Sequence, residues 1–302
     1  MIQGSFASGG SASKRQRILP STPSSRLPSP WVHADMLNFM PDSSVISDVI
    51  PSANYGDRRN NRVPDMIVLH YTGMQDAESA LTRLCKPGTE VSAHYVVLED
   101  GRIVQCVPEA YRAWHAGTSS WAGETDINSC SIGVEIINGG HDWGYPDFPS
   151  RQIAAVIALC RGIIIRRDIA SDRVLGHSDI APDRKKDPGE KFPWRLLASS
   201  GVGHWVRPAR IVPGGDVLKP GLSGEAVLAM QDKLAAYGYA VPRNGQYDAA
   251  TTAVVGAFQR HFRPELVDGI ADLSTLETLK ALLDTKPPER PHLTPLPPHS
   301  MT

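Results

Sequence analysis

The chain has 302 residues, 41% apolar and 21% charged, with a net charge of −1. This is a soluble globular balance with room for two domains, and it offers no electrostatic case for nucleic acid or an anionic membrane as partner. The longest apolar run, "IAAVIALCRGIII", is broken by Arg161 and too short to span a bilayer, so no transmembrane segment is expected.

Residues 1–44 are rich in Ser, Pro and Gly and are expected to be disordered. A basic patch at Lys14, Arg15 and Arg17 is followed by Ile18-Leu19 and proline, with no apolar h-region. No secretory signal is legible, so cytoplasm is the literal expectation, with the periplasm or cell envelope as the alternative.

From about residue 45 to 206 strand and helix signals interleave, which predicts one mixed α/β domain. "DMIVLHY" (65–71) reads as a buried strand, and "DAESALTRLC" (76–85) as a helix capped by Asp76. "AHYVVLEDGRIVQCV" (93–107) reads as two strands joined at Asp100-Gly101, a hairpin signal. "SIGVEII" (131–137) is a further strand. Residues 150–167 form an amphipathic helix with Ser150 as N-cap and apolar positions 153, 156, 157, 160, 163 and 164. "DRVLGH" (172–177) is a last strand, running into "GHSDIAPDRKKDPG" (176–189), which has neither period and reads as a loop.

Residues 207–216 are a linker by their Pro and Gly content. Beyond it, residues 217–284 hold three helix patterns and predict a small three-helix bundle. The first has apolar positions 227, 230, 234 and 237 and stops at Gly238; the others are capped by Asp248 and Asp272. A Pro-rich tail, 285–302, follows. Cys85, Cys106, Cys130 and Cys160 are widely spaced without a CxxC pair and read as buried thiols.

His70 ends the first strand of the α/β region and His177 its last, so both can project into one cleft. Asp187 follows His177 through a segment able to fold back, with Pro188-Gly189 restricting its exit. Two imidazoles and a carboxylate are a catalytic zinc set when the fourth position is left open. Glu135 interrupts an apolar strand. Alone it reads as a residue pointing to solvent; beside a metal site it reads as a general base. Lys185 is a cation placed to stabilise an oxyanion.

The motifs "IVLHYT", "VSAHYVV", "WHAG", "NSCSIGVEI" and "GHSDIAPDRKKDPG…FPW" occur in this order over residues 45–206. They resemble the zinc-dependent N-acetylmuramoyl-L-alanine amidases of the type-2 amidase family, which share a fold with peptidoglycan-recognition proteins. The resemblance implies a mixed central sheet flanked by helices. It also implies a hydrolase that cuts the amide between the lactyl group of N-acetylmuramic acid and L-alanine. It assigns His70, His177 and Asp187 to zinc, Glu135 to acid/base catalysis and Lys185 to the oxyanion. It places His94 and His115 along the substrate cleft, with Trp114 and Asn128 beside them. His141, His204 and His261 match no motif and read as structural or surface histidines.

The segment "GLSGEAVLAMQDKLAAYGY…GQYDAATTAVVGAFQRHF" is similar to peptidoglycan-binding three-helix domains, which implies tethering to the polymer. The implied partner is peptidoglycan or its soluble muropeptide fragments. Nothing in the chain speaks to oligomeric state.

Overall fold

Strand β3, Met66–Tyr71, is central to the fold, and five of its six residues are buried. The computed structural model that contains it describes residues 39–214 and 217–288, together with Met1. Before β3 come two short strands, β1 (Asp48–Val49) and β2 (Tyr55–Gly56). After it come α1 (Ala77–Cys85), the hairpin β4 (Tyr95–Val97) and β5 (Ile103–Gln105), and β6 (Arg112–Ala113). Next are α2 (Ile127–Cys130), β7 (Ser131–Ile136), α3 (Ser150–Arg167), β8 (Val174–Gly176), α4 (His177–Ile180) and α5 (Trp194–Ser199). Three longer helices close the chain: α6 (Glu225–Tyr237), α7 (Ala249–Phe262) and α8 (Leu273–Asp284).

The main sheet has the order β1-β5-β4-β7-β3-β8, and β2 pairs separately with β6. Only the β4/β5 hairpin is antiparallel; its neighbours in the sheet pair in parallel. The expected mixed α/β architecture is therefore a mostly parallel sheet flanked by helices.

Because strand side chains alternate, each face of the sheet acquires its own partners. Ile67, Leu69, Ile132, Val134, Ile136 and Val174 pack with Ile153, Val156, Leu159 and Ile163 of α3. At the start of α3, Gln152 donates to the carbonyls of Val97 and Ile137 at the strand ends, at 3.1 and 2.8 Å. On the opposite face Val96 and Val104 meet Ala80 and Leu84 of α1. Also on that face, Met66, Val68 and Leu175 belong to a cluster that takes in Val227, Leu234, Phe258 and Leu279 of the C-terminal helices. The two sequence regions thus share one apolar cluster.

Several expectations need correction. Helix α3 begins at Ser150, so the N-cap residue is Pro149 and no side chain caps it; the Ser150 hydroxyl already lies inside the first turn. The 176–189 stretch is not loop throughout. It opens with α4, one helical turn with His177 as its first residue. Of the segment expected to be disordered, residues 2–38 lie outside the described residues, as does the Pro-rich tail from 289. Asp42, by contrast, is held, accepting from Gln105 at 2.5 Å and from Glu109 N at 2.8 Å. In the linker, Ala209 is pinned to α8 through Thr278 and Ser274, at 3.0 and 2.6 Å. Asp76, Asp248 and Asp272 do cap their helices, each accepting from the N–H three residues on. All four cysteines are buried and free.

Candidate active site

Parallel pairing brings the functional positions together. In register, His70 of β3 lies opposite Glu135 of β7, and Leu69 lies opposite Gly176 of β8. The residue after Gly176 is His177, so both histidines and Glu135 sit at the carboxyl ends of adjacent parallel strands, where open α/β sheets place their clefts. The α4 turn and the segment after it bring Asp187 back, and Ser178 N donates to Asp187 O at 2.9 Å. The Asp187–Pro188 peptide is cis.

His70 Nδ1 and His177 Nδ1 are 2.9 Å apart, and Asp187 Oδ2 lies 3.1 and 3.0 Å from them. All three residues are buried, and together they form a group that could hold a metal ion. The donor set fits one. A tetrahedral ion with N and O ligands near 2.0–2.1 Å has ligand atoms about 3.3 Å apart, close to this triangle. The outer nitrogens are already engaged: His177 Nε2 faces Ala116 O at 3.1 Å, and His70 Nε2 faces His115 Nδ1 at 3.0 Å. With Nε2–H of His177 directed at a carbonyl, its Nδ1 keeps a free lone pair for a metal. Burial and the neighbouring His177 push His70 down to about 4, so its imidazole is neutral at pH 7. Burial works against the Asp187 carboxylate, but contact with His177 and His70 outweighs it and holds the group well below the usual carboxylate range.

The triad opens into a cavity of about 460 Å³, also lined by Glu135, Trp114, His115, His141 and Lys185. Glu135 Oε2 is shielded from solvent and has no hydrogen-bond partner among the described residues. Burial, then the charge of Asp187, raise this carboxyl well above its ordinary range, with Lys185 opposing. Lys185 is half-buried, and its side chain makes no ion pair among the described residues.

Two sequence-proposed substrate contacts do not line this cavity. His94 is fully buried: Gly133 N–H donates to its Nδ1 at 3.0 Å, and its Nε2 lies 3.0 Å from Tyr111 O and 3.1 Å from Arg58 Nη2. Asn128 sits behind the "WHAG" turn, its Oδ1 accepting from His115 N at 3.0 Å and Ala116 N at 2.8 Å. Both hold the wall rather than face the cavity. Gly133 is required beside them, since a Cβ there would run into the His115 ring.

Other residues of the site carry weaker sequence signals. His141 lines the cavity, 2.9 Å from Tyr71 Oη and 3.2 Å from Glu190 Oε2, and stacks on Tyr145. Arg184 holds the 116–118 backbone through the carbonyls of Ala116 and Thr118. Asp179 is fully buried within α4; it accepts from Gly176 N, Tyr239 Oη and His261 Nδ1, each at 2.7 Å. His261 in turn stacks on Trp194, with ring centroids 3.7 Å apart. Through these contacts the C-terminal helices grip the turn that begins with His177. One signal for His261 was available: it continues the buried stripe of Val254 and Phe258, and a histidine on such a stripe needs a polar partner.

Both regions of the chain match known protein families. Residues 60–190 match the N-acetylmuramoyl-L-alanine amidase family, and residues 223–279 match a peptidoglycan binding domain family. The chain is 38% identical to the N-acetylmuramoyl-L-alanine amidase AmiD of Escherichia coli, over 72% of this chain and 82% of that protein. It is 34% identical to the 1,6-anhydro-N-acetylmuramyl-L-alanine amidase AmpD of Salmonella typhimurium, over 52% of this chain and 91% of that protein. Among solved structures it resembles E. coli AmiD in complex with the substrate anhydro-N-acetylmuramic acid-L-Ala-D-γ-Glu-L-Lys. The TM-score is 0.64, at 36% identity over 76% of this chain and 92% of that one. It also resembles Pseudomonas aeruginosa AmpDh3 in complex with anhydromuramic pentapeptide, with TM-score 0.61 and 33% identity over 84% of this chain and 100% of that one.

Proposed function

The chain belongs to the N-acetylmuramoyl-L-alanine amidase family, and from that premise we propose that it hydrolyses the amide between N-acetylmuramic acid and L-alanine at a zinc ion held by His70, His177 and Asp187. The observation that carries the reading is the juxtaposition of three converging ligand atoms with one unpartnered Glu135 oxygen in the same cavity. Zinc held there supplies Lewis acidity toward a water and an amide carbonyl. His115 and the Ala116 carbonyl orient the two ligand rings. Glu135 Oε2 takes a proton from the attacking water and returns it to the departing alanine amine; its raised pKa suits both halves of that exchange. The Lys185 ammonium faces the cavity and offsets the negative charge that develops on the carbonyl oxygen. Trp114 and His115 line the wall against which substrate would lie.

Two experiments test this. Purified protein is given intact sacculi and soluble anhydro-muropeptide, with and without chelator, and the products are weighed by mass spectrometry. Release of peptides with a free L-alanine amine, abolished by chelator and restored by zinc, is expected; the same release in chelator would refute the metal role. Glu135→Gln should lower kcat by about 10² to 10⁴ while zinc content stays equimolar. Near-normal turnover in that variant would remove Glu135 from the mechanism.

A further inference from the structure

A second cavity, of about 890 Å³, lies where the segment after Asp187 meets residues 205–211 and the end of α7. Its lining combines Trp205 with Arg195, Arg207 and Arg210. All three arginines are exposed, and their guanidinium groups form no hydrogen bond or ion pair among the described residues. Most arginines of the α/β region are committed elsewhere. Arg58 bonds backbone carbonyls, Arg112, Arg166, Arg167 and Arg173 pair with carboxylates, and Arg184 holds the 116–118 turn. In a chain of net charge −1, three uncommitted guanidinium groups around one groove form a local positive field that the groove's own acids only partly offset.

The acids that line the groove do little to balance this field. Glu190 is turned toward His141, with its oxygens 3.3 and 3.2 Å from Nε2, which leaves Glu265. Lys191 adds a cation, though it is paired with Asp147 at 3.1 Å. The groove also lies close to the catalytic cavity. Asp187 lines one and Glu190 the other, and the three Cα–Cα steps between them span at most about 11 Å. The His141–Glu190 contact sits on the wall between them.

Guanidinium forks match carboxylates, and an indole face suits the C–H faces of sugars and peptides. Peptidoglycan presents both chemistries, since its stem peptides carry free carboxylates at regular intervals along a glycan. Resting on the amidase reading, we propose that this groove is a second binding site, which takes the carboxylates of a stem peptide adjacent to the one being cut. It would favour polymeric over monomeric substrate. The tether to the polymer would then lie partly at the junction of the two regions rather than on the C-terminal helices alone.

The test compares the full chain with Arg207→Glu/Arg210→Glu, which alters exposed side chains outside the catalytic cavity. Co-sedimentation with purified sacculi is measured in chelator, so that no turnover enters the reading. The half-saturating concentration should rise about tenfold in the variant, consistent with loss and reversal of two exposed charge contacts. Turnover of soluble monomeric anhydro-muropeptide should stay within about twofold. Sacculi whose carboxylates have been converted to amides should bind the unaltered protein about as weakly as native sacculi bind the variant. Unchanged sedimentation of the variant, equal losses on polymer and monomer, or undiminished binding of amidated sacculi would each overturn the proposal. If the reversed pair fails to fold, Arg207→Ala/Arg210→Ala carries the same test, with about a threefold rise expected. Failure of the amidase reading would look different: the unaltered protein would release no alanine-terminated peptide from either substrate, whatever the sedimentation result.

Discussion

Alternate residues of β3 face opposite ways. Ile67 and Leu69 lie in the cluster built on α3, whereas Met66 and Val68 lie in the cluster shared with the C-terminal helices, and His70 continues that second row. In β7 the same alternation sends Ile132, Val134 and Ile136 toward α3 and leaves Gly133 and Glu135 on the other side. One face is therefore continuously apolar. The other is apolar at its two flanks, under α1 and under the C-terminal helices, and polar between them. The first face needs only volume and close packing. The second must hold imidazoles and carboxylates at fixed separations, so its two ligand imidazoles and the turn that carries His177 are each held by a second partner. His70 leans on His115, His177 on Ala116 O, and α4 on the Asp179 contacts with Tyr239 and His261. A catalytic face needs such outer contacts because an imidazole free to rotate would not keep its lone pair on a metal.

The contrast can be broken experimentally, and the largest effect belongs to the polar face. His177→Ala should reduce amidase activity to background and strip the metal, with elemental analysis of the purified protein as the check. A folded variant that retains stoichiometric zinc would contradict the ligand assignment. On the apolar face, Leu159→Ala should lower stability by about 2–5 kcal/mol through the cavity it leaves. In this variant kcat/KM of the folded protein, at a temperature well below its Tm, should remain close to the original. A comparable loss of catalysis would mean that the two faces are coupled more tightly than their packing suggests.

Glu109 gives a pH-dependent version. Its carboxylate is fully buried; burial alone would raise its pKa, but Arg166 at 2.6 Å, Tyr95 Oη at 2.8 Å and Arg167 at 2.8 Å lower it below the ordinary value. A depressed carboxylate stabilises the fold above the unfolded-state value near 4.3, and that contribution is lost as pH falls through the folded value. Glu109→Gln should therefore cost about 2 kcal/mol at pH 7, discounted because both arginines can turn to solvent. The two melting curves should converge below about pH 4. A difference that persists undiminished at pH 3 would mean that packing, not charge, is responsible.

The smallest effect tests the outer contacts. Asp179→Asn keeps the shape but weakens the bonds to His261 and Tyr239, and it should lower zinc affinity about tenfold in competition with a chromogenic chelator. The visible spectrum of the cobalt-substituted protein should shift as well. Unchanged affinity and spectrum would confine Asp179 to holding the C-terminal helices.

Much of the local structure was legible because it depends on short-range rules. Asp76, Asp248 and Asp272 read as caps and accept from the expected N–H groups. Val227, Met230, Leu234 and Tyr237 recur at helical spacing and are buried together. Ser150 was misread because the pattern locates a helix start only to within a residue. His94 and Asn128 sit in motifs that surround the cleft, but a motif does not say which of its side chains turn inward. His94 faces Gly133, Tyr111 and Arg58, and Asn128 faces backbone N–H groups.

What this chain determined by itself was periodicity, capping and the residue types able to hold a metal, since each depends on neighbours a few positions away. Tertiary structure alone decided that Leu69 pairs with Gly176 and thereby sets His177 beside His70, and that a histidine at position 261 would brace the turn at 177. Strand register and helix docking are chosen by burial summed over the whole molecule, and no local stretch carries that sum.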